Sequence, residues 1–586
     1  TDGLINTFNS VKNKLDFPIA LGYCNVGEII EVGKNVTGFK VGDRVVSNGN
    51  HAEVVSVSQN LCALIPDNVI DDEAVFTVLS SIGLQGIRLA KPTFGETFLV
   101  SGLGLIGLLT SQILKAQGCN VLAIDTDFEK CKLAESLDIN CLNISAGEDP
   151  IPWLMKETNK IGIDGAIITA STTSTSPIHI AAESCRQKGR IVLVGVTGLN
   201  LRRDLFYKKE ISFQVSCSYG PGRYDPIYED LGIDYPIGFV RWTEKRNFES
   251  ILKSFSEGKI KTDILISDRL DIGRANEAYE KLFNSKNSLG IIINYPNKVN
   301  LKETKIFLQS EAKRTLDKSV ITGFIGSGNY ARNDLLPAFK KANVTLKTIV
   351  SSDGLGPVHL GKKFGFLNAS TNIRDIMEDK NCNSVVICTR HDSHANLICE
   401  ALSRGKNVFV EKPLCLDINE LEKIKSIYDG SKLLMIGFNR RFAPLSKKVR
   451  KLISNLNTCK SYIYTCNAGH IDSNHWIHDP KIGGGRLLGE ACHFLDLIRF
   501  LVGFEIESME MVHAEDPKAC PDTFSIQSKF KDGSIASIHY FSNGTKIFPK
   551  ERLEVFADNK IFRLDNFKSL KSWGVKNGLN NVNLFR

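Results

Sequence analysis

Thr97-Phe98-Leu99-Val100-Ser101-Gly102-Leu103-Gly104-Leu105-Ile106-Gly107 decides the fold of the first half of this chain. An apolar run enters a G-x-G-x-x-G turn, and Leu108 to Gln117 then reads as a helix. The first glycine makes the tight turn, the second lets backbone approach a pyrophosphate, and the third lets helix and strand pack closely. The helix start offers free N–H groups and partial positive charge to phosphate. A second apolar run, Asn120 to Ile124, ends in Asp125, 18 residues after Gly107. A carboxylate there accepts the ribose hydroxyls and repels a 2′-phosphate, so NAD is expected on Gly102, Gly104, Gly107 and Asp125. Strands expected at Gly165 to Thr169 and Arg190 to Gly195 fit a doubly wound parallel sheet.

The pattern then restarts. Val320-Ile321-Thr322-Gly323-Phe324-Ile325-Gly326-Ser327-Gly328-Asn329-Tyr330-Ala331 is a second strand and Gly-rich turn, with Leu335 to Lys341 as its helix. The following strand, Leu346 to Val350, ends in Ser351-Ser352-Asp353. Small hydroxyls leave room for a 2′-phosphate while Asp353 reaches a ribose, so NAD and NADP both stay open for this half. Next come a strand at Ser384 to Cys388, the turn Thr389-Arg390-His391-Asp392-Ser393-His394, a helix to Arg404, and Asn407-Val408-Phe409-Val410-Glu411-Lys412-Pro413-Leu414. Strand ends on one edge of an open α/β sheet are where ligands bind. A partly desolvated lysine at such an end can trade protons with a substrate hydroxyl.

Composition sets the frame around these two turns. At 586 residues the chain is too long for one core, and length alone implies about three or four domains. Apolar content of 42% and charged content of 24% are those of ordinary globular protein. A net charge of +8, scattered rather than striped, gives no sign of nucleic-acid binding. Fifteen cysteines without a CxxC pair fit reduced thiols and a cytoplasmic setting. No signal peptide and no apolar run near 18 residues is visible, so no membrane association is expected. The chain starts at Thr1 inside what reads as a domain, so a chain truncated at its N-terminus is expected.

Residues 22 to 65 are rich in Gly, Val and Ile, and strands are expected at Val26 to Val32, Asp43 to Val46 and His51 to Val57. Gly27-Glu28-Ile29-Ile30-Glu31-Val32-Gly33 followed by Gly42-Asp43-Arg44-Val45 resembles the GroES-like domain of medium-chain dehydrogenases. A helix at Asn247 to Gly258 and the apolar Leu289 to Tyr295 resemble the return of such an enzyme to its first domain. Zinc members carry Gly-His-Glu where this chain has Gly22-Tyr23-Cys24, and the cysteine lobe of the structural zinc is absent, so no metal is expected. Ser218 to Trp242, with four Tyr, two Arg and a Trp, reads equally as a pocket wall or a long ordered loop.

In the second half, the ordered set G-x-G-x-x-A, T-x-x-x-x-H, E-K-P, G-F-N-R-R-F, G-G-G-x-L-L and H-x-x-D is similar to the glucose-fructose oxidoreductase/inositol dehydrogenase (Gfo/Idh/MocA) family. Together the halves resemble bi-domain oxidoreductases, in which a medium-chain dehydrogenase is fused to that family. The resemblance implies two tandem Rossmann-type sheets, the first with a GroES-like β domain and the second with a C-terminal α+β sheet domain. The expected boundaries are 1–65 (completed by 244–296), 66–243, a linker at 297–318 with a bridging helix at Leu301 to Lys313, 319–440, and 441–586. Strands at Tyr462 to Asn467, Ser525 to Lys529 and Ile535 to Phe541 belong to the last.

The resemblance also implies NAD(P)-dependent hydride transfer to or from a sugar-type carbinol, with Lys412 and His493 as the acid/base pair. Gly326, Gly328, Asn329, Tyr330, Asp353, Thr389, His394 and Glu411 would hold the second dinucleotide. Physical chemistry supports the pair independently: hydride leaves a carbinol carbon only as its O–H proton is lost, so a base must reach that oxygen. Family members often carry Asp four residues before the His; here that place is Gly489, so either Glu490 takes the orienting role, sharing a face with His493 and Asp496 if 486–500 is helical, or the proton relay differs. Arg440 and Arg441 are candidates for an anionic substrate, with one of them expected in a structural salt bridge, and Trp476 is a candidate for the substrate loop beside His470, His475 and His478.

The favoured substrate is a nucleotide-activated sugar of surface-polysaccharide biosynthesis, and a homo-oligomer is expected. A free-sugar or polyol dehydrogenase is the first alternative. A non-catalytic, dinucleotide-binding first half is the second.

Overall fold

A computed structural model describes residues 19–145, 147–285, 288–296, 303–309, 320–473, 475–515, 522–545 and 547–575, and the backbone of 581–583. They fall into two compact units, within Ile19–Val299 and within Asn300–Arg586.

The first unit opens with a three-stranded antiparallel sheet, Asn25–Glu28, Arg44–Ser47 and Cys62–Leu64, in which Val26 faces Val46 and Val46 faces Ala63. The strand expected at His51 to Val57 does not form: His51 to Val54 are exposed, and His51 instead donates its N–H to Leu21 and bonds the Tyr279 hydroxyl through Nδ1 at 2.8 Å. A six-stranded parallel sheet follows in the spatial order Asn140–Asn143, Asn120–Asp125, Thr97–Ser101, Ile163–Ile168, Cys185–Leu193, Ser212–Val215. Its central strands, Thr97–Ser101 and Ile163–Ile168, are buried on both sides, as a sheet covered by helices on both faces requires. The order reverses between Thr97–Ser101 and Ile163–Ile168, which opens a crevice above the carboxyl ends of those strands. The helix Glu244–Ser256 buries Phe248, Ile251, Leu252 and Phe255, and Gly290–Asn294 pairs in parallel with Ile266–Asp271.

The second unit repeats the design. Its seven-stranded sheet runs Lys305–Phe307, Asn368–Ser370, Thr345–Val350, Ile321–Ile325, Ser384–Ile387, Asn407–Val410, Leu434–Ile436. The helix expected across Leu301 to Lys313 is corrected at its centre: Lys305–Phe307 is an antiparallel edge strand on Asn368–Ser370. The other described positions of that stretch carry no helix, and 301, 302 and 310–313 lie outside the described residues. A β-branched and an aromatic residue in sequence favour the pleated edge over a helix.

An eight-stranded sheet completes this unit, with Ser461–Asn467 parallel to Ile535–Phe541 and its other neighbours antiparallel. Alternate residues of Ser461–Asn467 (Tyr462, Tyr464, Cys466) face a core shared with helix Cys492–Val502. Phe494 of that helix stacks on Tyr464 with ring centroids 4.6 Å apart, and burying a side chain of this size contributes about 2–3 kcal/mol. This packing fixes the helix that carries His493.

Candidate active site

Both Gly-rich turns have the stereochemistry that a pyrophosphate cradle needs. Gly102 and Gly326 sit at φ +102° and +110°, and a Cβ on them would stand 2.6 Å from Ala170 N and 2.5 Å from Cys388 O. Gly107 lies so close to the Gly102 carbonyl that no side chain fits between helix and strand. Gly104 and Gly328 are different, because a Cβ there would meet nothing within 4 Å. The glycine at each of these positions leaves room on the outer side of the turn, where a dinucleotide's phosphates would lie. The residues therefore fit a dinucleotide in each half.

Asp125 closes the first turn from the neighbouring strand. Its carboxylate accepts the Leu103 N–H at 2.5 Å and the Asp127 N–H at 2.8 Å, and retains lone pairs for ribose hydroxyls. In the second half Asp353 is exposed, accepts the Gly356 N–H at 3.2 Å, and shares the neighbourhood of Gly356 with the Ser327 hydroxyl of the Gly-rich turn. Asn329 accepts from Arg332 at 2.9 Å, and the Tyr330 hydroxyl accepts from Asn439 at 3.0 Å. A π turn, Ala331–Leu335, follows directly, a wide turn of the kind frequent at functional sites.

Lys412 leaves the strand Asn407–Val410 and donates to the main-chain carbonyl of Gly489. Glu411 is buried, and its Oε1 has no hydrogen-bond partner among the described residues. Burial pushes its carboxyl up to about 7 against the pull of the Lys412 charge and N–H. Thr389 pairs with Ser393 (2.6 Å). His394, fully buried, faces the Pro413 carbonyl with Nδ1 at 2.7 Å, which ties the turn after Ser384–Ile387 to the segment after Lys412.

His493 lies in the first turn of its helix, 7% exposed, with Nδ1 unpartnered among the described residues and Phe438 edge-on at 6.0 Å. Burial, then the Arg440, Lys412 and Lys550 charges, lower its pKa to about 2, so the ring is neutral. Among the described residues no hydrogen bond joins it to Glu490. A π turn at Leu487–Ala491 precedes the α-helix, and its wider spacing breaks the face that an α-helix would share. Glu490 instead faces Arg486 at 3.2 Å, a buried guanidinium that also reaches Asp522 at 3.1 Å and the Gly469 carbonyl at 2.8 Å.

The two arginines expected to meet an anion are both engaged. Arg440 clamps Glu551 through two bonds of 2.9 and 2.7 Å, with the Tyr464 hydroxyl on the same carboxylate. Arg441 grips Asp496 through Nε at 2.8 Å and a second bond from Nη2. Each fork uses the Nε/Nη2 edge of its guanidinium, so the structural salt bridge expected of one of these arginines is made by both.

Trp476, half-buried, lies between His391 (centroids 5.0 Å) and His475 (5.6 Å). Sequence reasoning passed over His391: it is buried, and its Cε1 lies 3.2 Å from where a Cβ on Gly489 would stand. No spacing rule links residues so far apart in the chain.

In the first unit, Tyr23 is half-exposed and burial pushes the Cys24 thiol up to about 12. No group of three or more metal-ligating side chains comes together among the described residues of either unit, including His470, His475 and His478. The stretch from Ser218 to Trp242 is anchored at points, with the Tyr219 hydroxyl accepting from Asn48 (3.1 Å), Tyr228 stacked on Tyr235 and Trp242 flanked by Arg88 and Arg241, while Leu231, Ile233, Ile237 and Phe239 are exposed. Among the described residues no helix is long and apolar enough to cross a membrane.

Four family models match the chain in sequence: the alcohol dehydrogenase GroES-like domain (2–90), zinc-binding dehydrogenase (106–231), the oxidoreductase family NAD-binding Rossmann fold (320–438) and the GFO/IDH/MocA C-terminal domain (452–563). Among curated relatives, myo-inositol 2-dehydrogenase of Thermotoga maritima is 27% identical over 218 residues, 35% of this chain and 64% of that protein. Sorbitol dehydrogenase of Bacillus subtilis is 24% identical over 314 residues, 48% of this chain and 82% of that protein. D-guloside 3-dehydrogenase of Escherichia coli is 27% identical over 270 residues, 44% of this chain and 72% of that protein. The chain thus spans just under two thirds of the first of these relatives. Of solved structures, levoglucosan dehydrogenase with NADH is similar at TM-score 0.41 and 20% identity, covering 46% of this chain and 80% of that one. The order of the matched domains makes the chain a bi-domain oxidoreductase, a medium-chain dehydrogenase-like half followed by a Gfo/Idh/MocA half.

Proposed function

We propose that the second half transfers hydride between a sugar-type carbinol and NAD(P), with Lys412 and His493 as its acid/base pair. The observation that carries this reading is the placement of Lys412. It leaves a parallel strand at the ligand-binding edge of the sheet and is held to Gly489, four residues before a buried neutral histidine. A bound dinucleotide supplies the hydride acceptor or donor. The chain's own residues handle the proton.

Burial, with the Arg440 and then the Lys412 charge as lesser causes, keeps His493 neutral. As the carbinol O–H is lost, the ammonium on one side and the imidazole lone pair on the other can stabilise and receive it. Gly326, Gly328, Asn329, Tyr330, Asp353, Thr389, His394 and Glu411 frame the second dinucleotide, with NAD or NADP; Gly102, Gly104, Gly107 and Asp125 frame NAD in the first half.

The substrate class favoured by the bi-domain resemblance is a nucleotide-activated sugar used in surface-polysaccharide biosynthesis, with the enzyme in the cytoplasm as a homo-oligomer. The curated relatives named for inositol, sorbitol and D-guloside support the coarser class of sugars and polyols. A dehydrogenase screen of nucleotide sugars and polyols, with NAD and NADP each, tests the reading on the full chain. Turnover that survives Lys412→Ala would overturn it.

Tyr23-Cys24 in place of the His-Glu of zinc members favours a second reading for the first half, as a dinucleotide-binding scaffold. Under it, Asp125→Arg abolishes dinucleotide binding to that half while turnover persists. Loss of turnover in Asp125→Arg with the second half still binding cofactor excludes the scaffold.

A further inference from the structure

One buried guanidinium in the second unit joins three stretches of chain around the Lys412 site. The Arg486 side chain is 1% exposed. Its Nη1 donates to the Gly469 carbonyl at 2.8 Å and to Asp522 at 3.1 Å, and its Nε donates to Glu490 at 3.2 Å. The guanidinium carbon lies 5.1 Å from the centre of the Tyr540 ring. Asp522 is fixed in turn by the Ser542 hydroxyl at 2.5 Å. Burial works against the Arg486 charge, but the Glu490 charge and the Asp522 bond outweigh it.

Each partner marks a different piece of the site. Gly469, at φ +72°, lies just past the strand Ser461–Asn467 and opens the loop that carries His470, His475 and Trp476. That loop returns through Gly484 and Gly485, at φ +70° and +79°, directly into Arg486. The bond to Gly469 therefore closes the loop at its neck, as the ends of an Ω loop lie close. Away from the neck the loop docks on the turn after Ser384–Ile387: the Ile482 carbonyl accepts the Asp392 N–H at 3.2 Å, and the Gly483 carbonyl meets His391 Nδ1 at 2.8 Å. Glu490 belongs to the π turn Leu487–Ala491, and its neighbour Gly489 offers its carbonyl to Lys412. A π turn departs from the regular α-helical ladder, so an anchor on Glu490 bears directly on where that carbonyl points.

We propose that Arg486 is a positioning residue of the Lys412 site: it fixes the Gly489 carbonyl against the Lys412 ammonium and closes the neck of the loop that carries Trp476. The proposal rests on the reading of Lys412 given above. Arginine suits the task because its planar fork reaches three acceptors on separate stretches of chain at fixed angles, whereas lysine is a point charge on a flexible stem.

The test uses the full chain with myo-inositol, D-sorbitol and UDP-glucose as probes. Arg486→Lys keeps a cation beside Glu490 and Asp522 and loses the fork. For a probe that wild type oxidises, kcat per folded chain should fall about a hundredfold with NADH affinity unchanged, as displacement of a catalytic group requires. A second measurement needs no turnover. Amide hydrogen exchange over 475–484, whose N–H groups bond within the loop, should speed up in Arg486→Lys while the strand Ser461–Asn467 keeps its protection. Asp522→Asn loosens the same guanidinium more mildly; it should move both readouts in the same direction and serves if Arg486→Lys does not fold. Lower stability alone, with kcat per folded chain and loop exchange unchanged, overturns the Arg486 proposal, as does a change in only one of the two readouts. If Lys412→Ala still abolishes turnover, that result leaves the Lys412 reading standing. Turnover that survives Lys412→Ala overturns the Lys412 reading instead, and the Arg486 proposal with it.

Discussion

The Lys412 ammonium donates to the main-chain carbonyl of Gly489, four residues before His493, so the strand end and the helix start are joined at the place of the proposed chemistry. Replacing Lys412 by Met keeps much of the aliphatic stem and removes the charge. Turnover by the second half should fall by at least about a thousandfold, since both proton transfer and charge stabilisation are lost. NADH binding, followed by its fluorescence, should stay within a few-fold. Loss of NADH binding in parallel would assign Lys412 to the cofactor rather than to the proton.

His493 gives a prediction on stability. Its folded pKa, about 2, lies below the unfolded value near ~6.5. Between these values the unfolded chain binds a proton that the native chain does not, so stability is full above ~6.5 and falls as pH drops through the window. At pH 5 the loss from this one group is roughly 2 kcal/mol. His493→Gln should flatten the decline in urea-unfolding free energy between pH 7 and 5. An unchanged slope would show that the native ring protonates.

Much of this architecture is legible because it is local. Gly102, Gly104 and Gly107 each announce a backbone demand within eleven residues, and the apolar runs beside them can only be strands of a covered sheet. The partners of Arg440 and Arg441 are 111 and 55 residues away, in another sheet and another helix, and no local pattern names them. Glu490 is hard to place from sequence for a different reason. Three-residue spacing implies a shared face only in an α-helix, and the π turn at Leu487–Ala491 leaves no mark that periodicity can detect. Lys305–Phe307 is a strand because Asn368–Ser370 is there to pair with it, which again is tertiary information.

Arg440 and Glu551 are a structural pair. Burial works against the charged Glu551, but the Arg440 fork and the Tyr464 hydroxyl outweigh it and hold the carboxyl low. Arg440→Ala leaves that carboxylate buried without its cation, at a cost of about 3–5 kcal/mol. Arg440→Ala with Glu551→Gln should recover part of the loss. A substrate-binding arginine would behave otherwise, raising KM with little change in the unfolding midpoint.

Glu244, in the first unit, is fully buried with neither carboxyl oxygen partnered among the described residues. Burial, then the Glu229 charge, push its carboxyl up to about 8. The folded value lies above the unfolded one near ~4.3, so its contribution is full below ~4.3 and is lost as pH rises toward 8. Glu244→Gln should remove that slope, making the variant more stable than wild type at pH 8 relative to pH 5, by on the order of a few kcal/mol. A wild-type slope in the variant would mean that Glu244 titrates normally.

Gly104 and Gly328 separate the two dinucleotide sites. A Cβ at either meets nothing within 4 Å, so substitution by Val should leave folding intact while filling the space beside the turn. Titration of the full chain with NADH should give two sites per chain in wild type and one in either variant, and the double variant should bind none. Gly328→Val should also abolish turnover by the Lys412 site, whereas Gly104→Val does so only if the first half is catalytic. Two sites remaining in either single variant would mean that the corresponding turn does not hold the pyrophosphate.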